Sequence, residues 1–106
     1  YGGSRHTALI LLIVRKYWRG IRAAIVIKYS EQCVVKLQKS RLTIIEIGPH
    51  SNPGDLYRDI EEEIGKTKEK PDVVVDKGGL GLEPVIYIFG SSAMEVVERA
   101  LKCIES

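Results

Sequence analysis

The stretch best suited to bind a ligand is the glycine segment at 76–84, Asp-Lys-Gly-Gly-Leu-Gly-Leu-Glu-Pro. Glycine tolerates positive φ and close backbone approach, so neighbouring N–H groups can turn inward around an anion. No helix is predicted directly after it, so it is neither a Walker loop nor a dinucleotide fingerprint. It therefore indicates either a phosphate cradle at Gly78, Gly79 and Gly81 or a tight bulged loop that needs glycine for geometry alone.

Two carboxylates, Asp76 and Glu83, bracket this glycine segment. Carboxylates beside a phosphate can hold a magnesium ion or orient a polar group of a substrate. Acidic residues at loop ends also serve as caps or simply face solvent. Both interpretations remain open from the residues alone.

A second candidate for phosphate binding is Gly2-Gly3-Ser4-Arg5-His6, directly before the first predicted helix. Unpaired N–H groups and the helix dipole favour a phosphate at such a place, and Gly3, Ser4 and Arg5 would contact it. His6 would then act as a proton donor or phosphate partner. The alternative is a surface histidine near the end of the chain.

These segments must be positioned by alternating helices and strands. Breakers and caps separate apolar stretches of helical period from short β-branched runs, in the order α-β-α-β-α-β-β-α. We expect one α/β domain over residues 1–106, a layered sheet with flanking helices. The predicted strands are 22–29, 42–47, 73–75 and 85–89; the helices begin at Ser4 or Thr7, after Ser30, at Asp55 and after Ser91 or Ser92.

Three of the predicted helices carry features that a structure can check. An all-apolar middle, Ala8 to Val14, predicts a first helix buried nearly all round. The third helix has an apolar stripe at Leu56, Ile60 and Ile64 opposite an acidic face that we interpret as solvated. The last helix has an apolar stripe made of Val96, Val97, Ala100, Leu101 and Ile104. Outside the helices, the breaker-rich loop at 48–54 contains His50, which we interpret as incidental.

Composition and charge narrow the function classes. The chain is 44% hydrophobic and 28% charged, which is typical of a globular domain. Nine Lys and Arg against one acid in residues 1–41 should attract anions, but the basic half has no aromatic-interleaved or helix-turn-helix pattern that would indicate nucleic-acid binding. The chain has only one asparagine and two glutamines, and this low amide content resembles the composition of thermophile proteins.

The longest apolar run is far below the roughly 20 residues that span a bilayer. We therefore expect no membrane segment and a cytoplasmic protein. Cys33 and Cys103 lie far apart in sequence, inside helical patterns and without a metal-ligand spacing. We expect both cysteines to be reduced and buried.

Three motifs, taken together, resemble a known family. Gly-Gly-Ser-Arg-His-Thr-Ala at 2–8, Ile-Arg-Ala-Ala-Ile-Val-Ile-Lys-Tyr-Ser at 21–30 and the stretch 71–84 follow in the order of archaeal-type thiamine-phosphate synthase domains, the ThiN domains. The resemblance implies a transferase that joins hydroxymethylpyrimidine diphosphate to thiazole phosphate, with Mg²⁺ on the leaving diphosphate. It also implies a catalytic or substrate-orienting His6 and substrate binding by Gly78, Gly79, Gly81 and Glu83.

The resemblance leaves the role of the parent chain open. Leu82 stands where the family usually has lysine, and Ile47 and Gly48 stand near its Asp-Arg pair. We expect the C-terminal part of a longer chain, with an attached kinase or helix-turn-helix module. The alternatives to an enzyme are a thiamine-phosphate sensor in a transcription regulator, and a structural or self-associating domain using Tyr17 and Trp18.

Overall fold

The computed structural model describes residues 2–79 and 81–104, without the side chains of residues 2–5 and 53. Helices and strands alternate in this part of the chain, and their order confirms the predicted α-β-α-β-α-β-β-α. A short 3-10 turn, Pro53–Asp55, precedes the third helix. The elements are α1 (Gly2–Arg15), β1 (Ala23–Lys28), α2 (Glu31–Lys39), β2 (Ile44–Ile47), α3 (Leu56–Lys66), β3 (Val73–Asp76), β4 (Val85–Gly90) and α4 (Ala93–Leu101).

The strands form one mixed sheet in the spatial order β1-β4-β3-β2. β2 and β3 are parallel, whereas β4 is antiparallel to both β3 and β1. The carboxyl ends of β1, β2 and β3 therefore lie at one end of the sheet, together with the start of β4. Ligands of open α/β sheets bind outside the carboxyl ends of the strands, so this end is where a site is expected.

Helices cover both faces of the sheet. Side chains alternate between faces along each strand, so the strands contribute to two separate cores. β3 is buried throughout, which confirms the buried strand predicted from three consecutive valines. The α1/α3 face packs Ile10, Val14, Ile60, Ile64, Val74, Tyr87 and Phe89. The α2/α4 face packs Cys33, Leu37, Val73, Val75, Ile86, Ile88 and Val96.

Local sequence signals set several helix boundaries. Ser30 and Ser92 are N-caps whose side chains accept from the backbone N–H groups of Cys33 and Glu95, which confirms both predicted starts. The stripe of α3 is also confirmed, because Leu56, Ile60 and Ile64 are all buried. These signals depend on nearby residues alone, so the sequence is enough to locate them.

The prediction for α1 was wrong in two respects. The helix is already formed at Gly2, so Ser4 and Thr7 lie inside it and residues 2–6 are not a loop before it. Glycine and serine are weak helix breakers, and packing of a helix on a sheet overrides such propensities. The helix is also not buried all round, since Leu9 and Leu12 are 42% and 60% exposed. Of the described helices, none is long and apolar enough to cross a membrane.

The apolar stripe predicted for α4 is only partly buried. Val96 is 3% exposed, but Val97 and Leu101 are 50% and 46% exposed, and Ile104 lies beyond the helix and is 76% exposed. Helix α4 contacts the sheet through one narrow line of side chains, while its neighbouring apolar line faces outward. The spacing of these residues predicted a helix correctly but assigned it too wide a buried face.

The expectation of reduced cysteines was wrong. Cys33 and Cys103 form a disulfide across 70 residues of sequence, with their Cα atoms 4.4 Å apart. Helix α2 and the turn that follows α4 lie on the same face of the sheet, which brings the two sulfur atoms together. Sequence separation gives no information about that proximity. The disulfide joins α2 to the turn that follows α4.

Candidate functional site

The candidate site lies on the α1/α3 face, at the end of the sheet where β3 stops. Asp76 pairs with Val85, and Val74 pairs with Tyr87, so the alternation of side chains puts Asp76 and Tyr87 on the same face. His6 comes from an early turn of α1, and Tyr57 from the first turn of α3. The starts of two helices and the ends of two strands therefore meet here.

His6 lies between two tyrosines. Its Nε2 atom is 2.6 Å from the hydroxyl of Tyr87, and its Nδ1 atom is 2.9 Å from the hydroxyl of Tyr57. Both tyrosine rings are tilted against the imidazole, with ring centroids 5.6 and 5.8 Å away. Hydrogen bonds at both nitrogens fix the plane of the ring and its direction.

Burial shifts the protonation of this group of three. It lowers the pKa of His6, and the nearby carboxylate of Asp76 opposes this without reversing it. Burial also raises the pKa of the Tyr87 hydroxyl well above its ordinary value, with a further contribution from Asp76. His6 is therefore a neutral imidazole at neutral pH, and Tyr87 keeps its proton.

A second histidine, His50, lies at the base of the site between two carboxylates. Its side chain is fully buried; Nδ1 is 2.6 Å from Asp59 Oδ2, and Nε2 is 2.8 Å from Asp76 Oδ1. Burial alone would lower the pKa of His50, but the hydrogen bonds and charges of Asp59 and Asp76 together outweigh it and raise the pKa. Because each nitrogen faces a carboxylate, both donate and the ring is an imidazolium.

His50 also fastens the glycine segment to the loop that follows β2. Its backbone N–H donates to the carbonyl of Gly78 at 2.7 Å, and it forms a β-bridge with Gly79. The Asp76 Oδ1 atom that accepts from the His50 ring also accepts from the N–H of Gly78 at 2.8 Å. Ring, carboxylate and backbone thus hold the two loops in one arrangement.

The glycines at 78 and 79 are required by close packing. Both have positive φ, +77° and +152°. A Cβ at Gly78 would lie 2.6 Å from the carbonyl oxygen of Leu82, and one at Gly79 would collide with the carbonyl of His50. The geometric explanation of the glycine segment therefore accounts for these two positions.

Of the two alternatives for the glycine segment, the hydrogen bonds of Gly78 and Gly79 favour the tight loop over an anion cradle. The Gly78 N–H donates to Asp76, and the Gly79 N–H donates to the carbonyl of Leu82 at 3.1 Å. The N–H of Lys77 is also occupied, by the carbonyl of Ile47 at 2.9 Å. These three amides serve the loop itself, so an anion must be held by other groups.

The structure brings together the two predicted segments, since His6 bonds to Tyr87, whose side chain lies on the same face of the sheet as that of Asp76. Gly3, Ser4 and Arg5 lie in α1, and the side chains of Ser4 and Arg5 are outside the described residues. Gly81 and Glu83 are exposed, whereas Asp76 is 3% exposed and its Oδ1 is occupied by protein donors. The substrate-binding roles assigned to these residues stay predictions.

Four residues of the site were missed by sequence reasoning. His50 was interpreted as incidental and Asp59 as part of a solvated face, and both interpretations were wrong because the two residues pair at the base of the site. Tyr57 and Tyr87 were not singled out. The position of Tyr87 in an otherwise apolar buried strand was a usable signal, because a buried tyrosine hydroxyl requires a hydrogen-bond partner.

Fold and site together define a small α/β domain with helices on both faces of a mixed sheet and a histidine centre at its carboxyl end. The chain belongs to the thiamine-phosphate synthase ThiN family, whose model matches residues 1–102. A thiamine-phosphate synthase ThiN of Methanothermobacter thermautotrophicus is 28% identical, aligned over 98% of this chain and 59% of that protein.

Two further comparisons agree with this membership. A bifunctional thiamine biosynthesis protein ThiDN of Methanocaldococcus jannaschii is 33% identical, over 93% of this chain and 24% of that protein. The solved C-terminal domain of a phosphomethylpyrimidine kinase superposes with a TM-score of 0.78 at 25% identity, covering 92% of this chain and 60% of that chain. The chain thus spans at most about three fifths of the relatives it matches.

Proposed function

We propose that this chain is a catalytic domain of thiamine-phosphate synthase, joining hydroxymethylpyrimidine diphosphate to thiazole phosphate with release of pyrophosphate. Family membership supports the pathway. The observation that carries the proposal is the neutral His6 held between Tyr57 and Tyr87 at the carboxyl end of the sheet. The two helix starts at this place favour an anionic ligand through their dipoles.

In this proposal the protein works mainly by binding and orientation. Departure of pyrophosphate from the pyrimidine leaves a cation that the thiazole nitrogen captures, so no protein nucleophile is required. His6 is uncharged and hydrogen-bonded at both ring nitrogens, so it presents a neutral polar surface at the site. The clamp of His50 on Asp76 keeps the glycine segment fixed, so its exposed part, including Gly81 and Glu83, presents a constant shape to the substrate.

Magnesium would enter with the diphosphate. Among the described residues, no three carboxylate, histidine or cysteine side chains are grouped in a way that could hold a metal ion. This fits Mg²⁺, which is commonly bound through substrate phosphates and only one or two carboxylates. Glu83 is exposed on the glycine segment and is the residue we propose as its protein contact. When bound, the ion neutralises charge on the leaving group.

The relatives also suggest a functional partner. One is named as a bifunctional thiamine biosynthesis protein, and the superposed structure is part of a phosphomethylpyrimidine kinase. We propose that a kinase module works beside this domain and supplies its phosphorylated pyrimidine. Self-association also remains a prediction, to be checked by the molecular mass in solution.

The test is turnover by the intact protein with both phosphorylated precursors and Mg²⁺, followed as thiamine phosphate by chromatography. We expect His6→Ala to lower kcat/KM at least a hundredfold. Leu12→Ala, an exposed change in the same helix, should leave turnover unchanged. Binding of both precursors without any product would contradict the enzymatic proposal.

A further inference from the structure

The hydrogen bonds around His6 have a direction that can be worked out from Tyr87. The Tyr87 side chain is buried, 1% exposed, and its raised pKa keeps the hydroxyl protonated. A buried O–H requires an acceptor. Within the described part of the chain that acceptor is His6 Nε2, 2.6 Å away. Nε2 therefore carries no hydrogen.

The neutral ring must then carry its proton on the other nitrogen. His6 has a lowered pKa and is uncharged at neutral pH, so a bare Nε2 places the hydrogen on Nδ1. Nδ1 lies 2.9 Å from the Tyr57 hydroxyl oxygen and donates to it. The oxygen of Tyr57 is thus used as an acceptor, and its own hydrogen is left for a group outside this set of three.

Tyr57 is the member of the set that can reach a ligand. It is 37% exposed, in the first turn of α3, while Tyr87 is buried beneath His6. Accepting a hydrogen bond from His6 polarises the Tyr57 hydroxyl and makes it a stronger donor, as in other chained hydrogen bonds. Anionic oxygens form the strongest bonds with such a donor.

We propose that Tyr57 is a ligand-binding residue whose hydroxyl donates to a phosphoryl oxygen, and that Tyr87 and His6 act through it as positioning residues. The choice of a phosphate as the ligand rests on the proposed function. The choice of Tyr57 as the donor rests on the geometry of this chain. It gives His6 the role of aligning a second side chain, in place of direct contact with the phosphate.

The first test reads the proton positions directly. Nitrogen-15 spectra of the intact protein at pH 8 should show a neutral histidine with its hydrogen on Nδ1, assigned to His6 by its loss in His6→Ala. In Tyr87→Phe the Nε2 acceptor loses its donor, so the ring should shift towards a mixture of tautomers. A wild-type His6 with its hydrogen on Nε2 would overturn the inference and leave the proposed function untouched.

The second test measures affinity for inorganic pyrophosphate by calorimetry. Tyr57→Phe should raise Kd about tenfold or more, the effect of losing one hydrogen bond to a charged group. Tyr17→Phe is the matched control, because Tyr17 is also exposed and hydrogen-bonded, to Glu61, but lies just beyond the opposite end of α1 from His6. An unchanged Kd in Tyr57→Phe overturns the role of Tyr57 alone, whereas no pyrophosphate binding by the wild type overturns the phosphate site and this inference together.

Discussion

Replacing His50 by glutamine tests whether the clamp at the base of the site is charged. The change removes an imidazolium whose side chain is fully buried and which bonds to both Asp59 and Asp76. The side chain of Asp76 is 4% exposed, so its hydrogen bond from the charged ring is little weakened by solvent and is worth more than a hydrogen bond between neutral groups. The side chain of Asp59 is 29% exposed, so solvent reduces the contribution of its hydrogen bond to stability. We expect a loss of about 3 kcal/mol in the free energy of unfolding.

The pH dependence of this loss has a definite sign. The folded-state pKa of His50 is raised above its unfolded value of about 6.5, so folding favours the protonated form. Its contribution to stability is fully present below pH 6.5 and is lost as the pH rises through the folded pKa. The difference between wild type and His50→Gln should therefore be largest in mildly acidic solution and smaller at pH 9.

Urea denaturation at pH 6 and at pH 9, followed by circular dichroism, measures this difference for both proteins. Asp59→Asn is the control, since it weakens the more exposed half of the clamp and should cost less, about 1 kcal/mol. A stability difference that is the same at both pH values, or that grows with pH, would refute the reasoning, because His50 would then be neutral in the folded protein.

Two further predictions concern the other constraints on the fold. Cys33→Ala combined with Cys103→Ala should lower the free energy of unfolding by about 4 kcal/mol, the loop entropy of a 70-residue closure. A reductant should lower the melting temperature of the wild type but not that of the double variant, and equal melting of the wild type with and without reductant would contradict a disulfide in the folded protein. Gly79→Ala should lower the free energy of unfolding by about 2 kcal/mol and weaken precursor binding, because the added Cβ would collide with the His50 carbonyl. Gly20→Ala is the control for thermal melts and should change neither property, because the space around Gly20 is open.

Most of the fold could be predicted because its signals are local. A serine before an acidic turn marks a helix start, and three consecutive valines mark a strand that is buried on both faces. The stripe of Leu56, Ile60 and Ile64 needs only the period of a helix. The errors arose where a residue's environment depends on another element: Leu12 and Ile104 have helical spacing, yet the helices or sheet that would bury them do not reach them.

The candidate site was predicted less completely for the same reason. His6 and the glycine segment were identified from their residue types and from the resemblance, but the partners that set their chemistry come from distant parts of the chain. Tyr57 and Tyr87 lie 51 and 81 residues from His6. His50 lies in a loop rich in glycine and proline, and nothing in that loop's sequence indicates that Asp59 and Asp76 converge on it.

The two histidines of the chain differ in charge because burial lowers the pKa of His6, whereas the carboxylates of Asp59 and Asp76 raise the pKa of His50. His50 bonds to Asp76 directly and is charged, whereas His6 is reached only by the field of that carboxylate and is neutral. A charged His50 opposes the field of Asp76, so we expect it to help keep His6 neutral. Losing His50 would leave Asp76 uncompensated and favour a proton on His6 Nε2, which would turn that nitrogen into a donor towards Tyr87. The charge of the His50 clamp and the hydrogen-bond direction at Tyr57 are therefore coupled through Asp76.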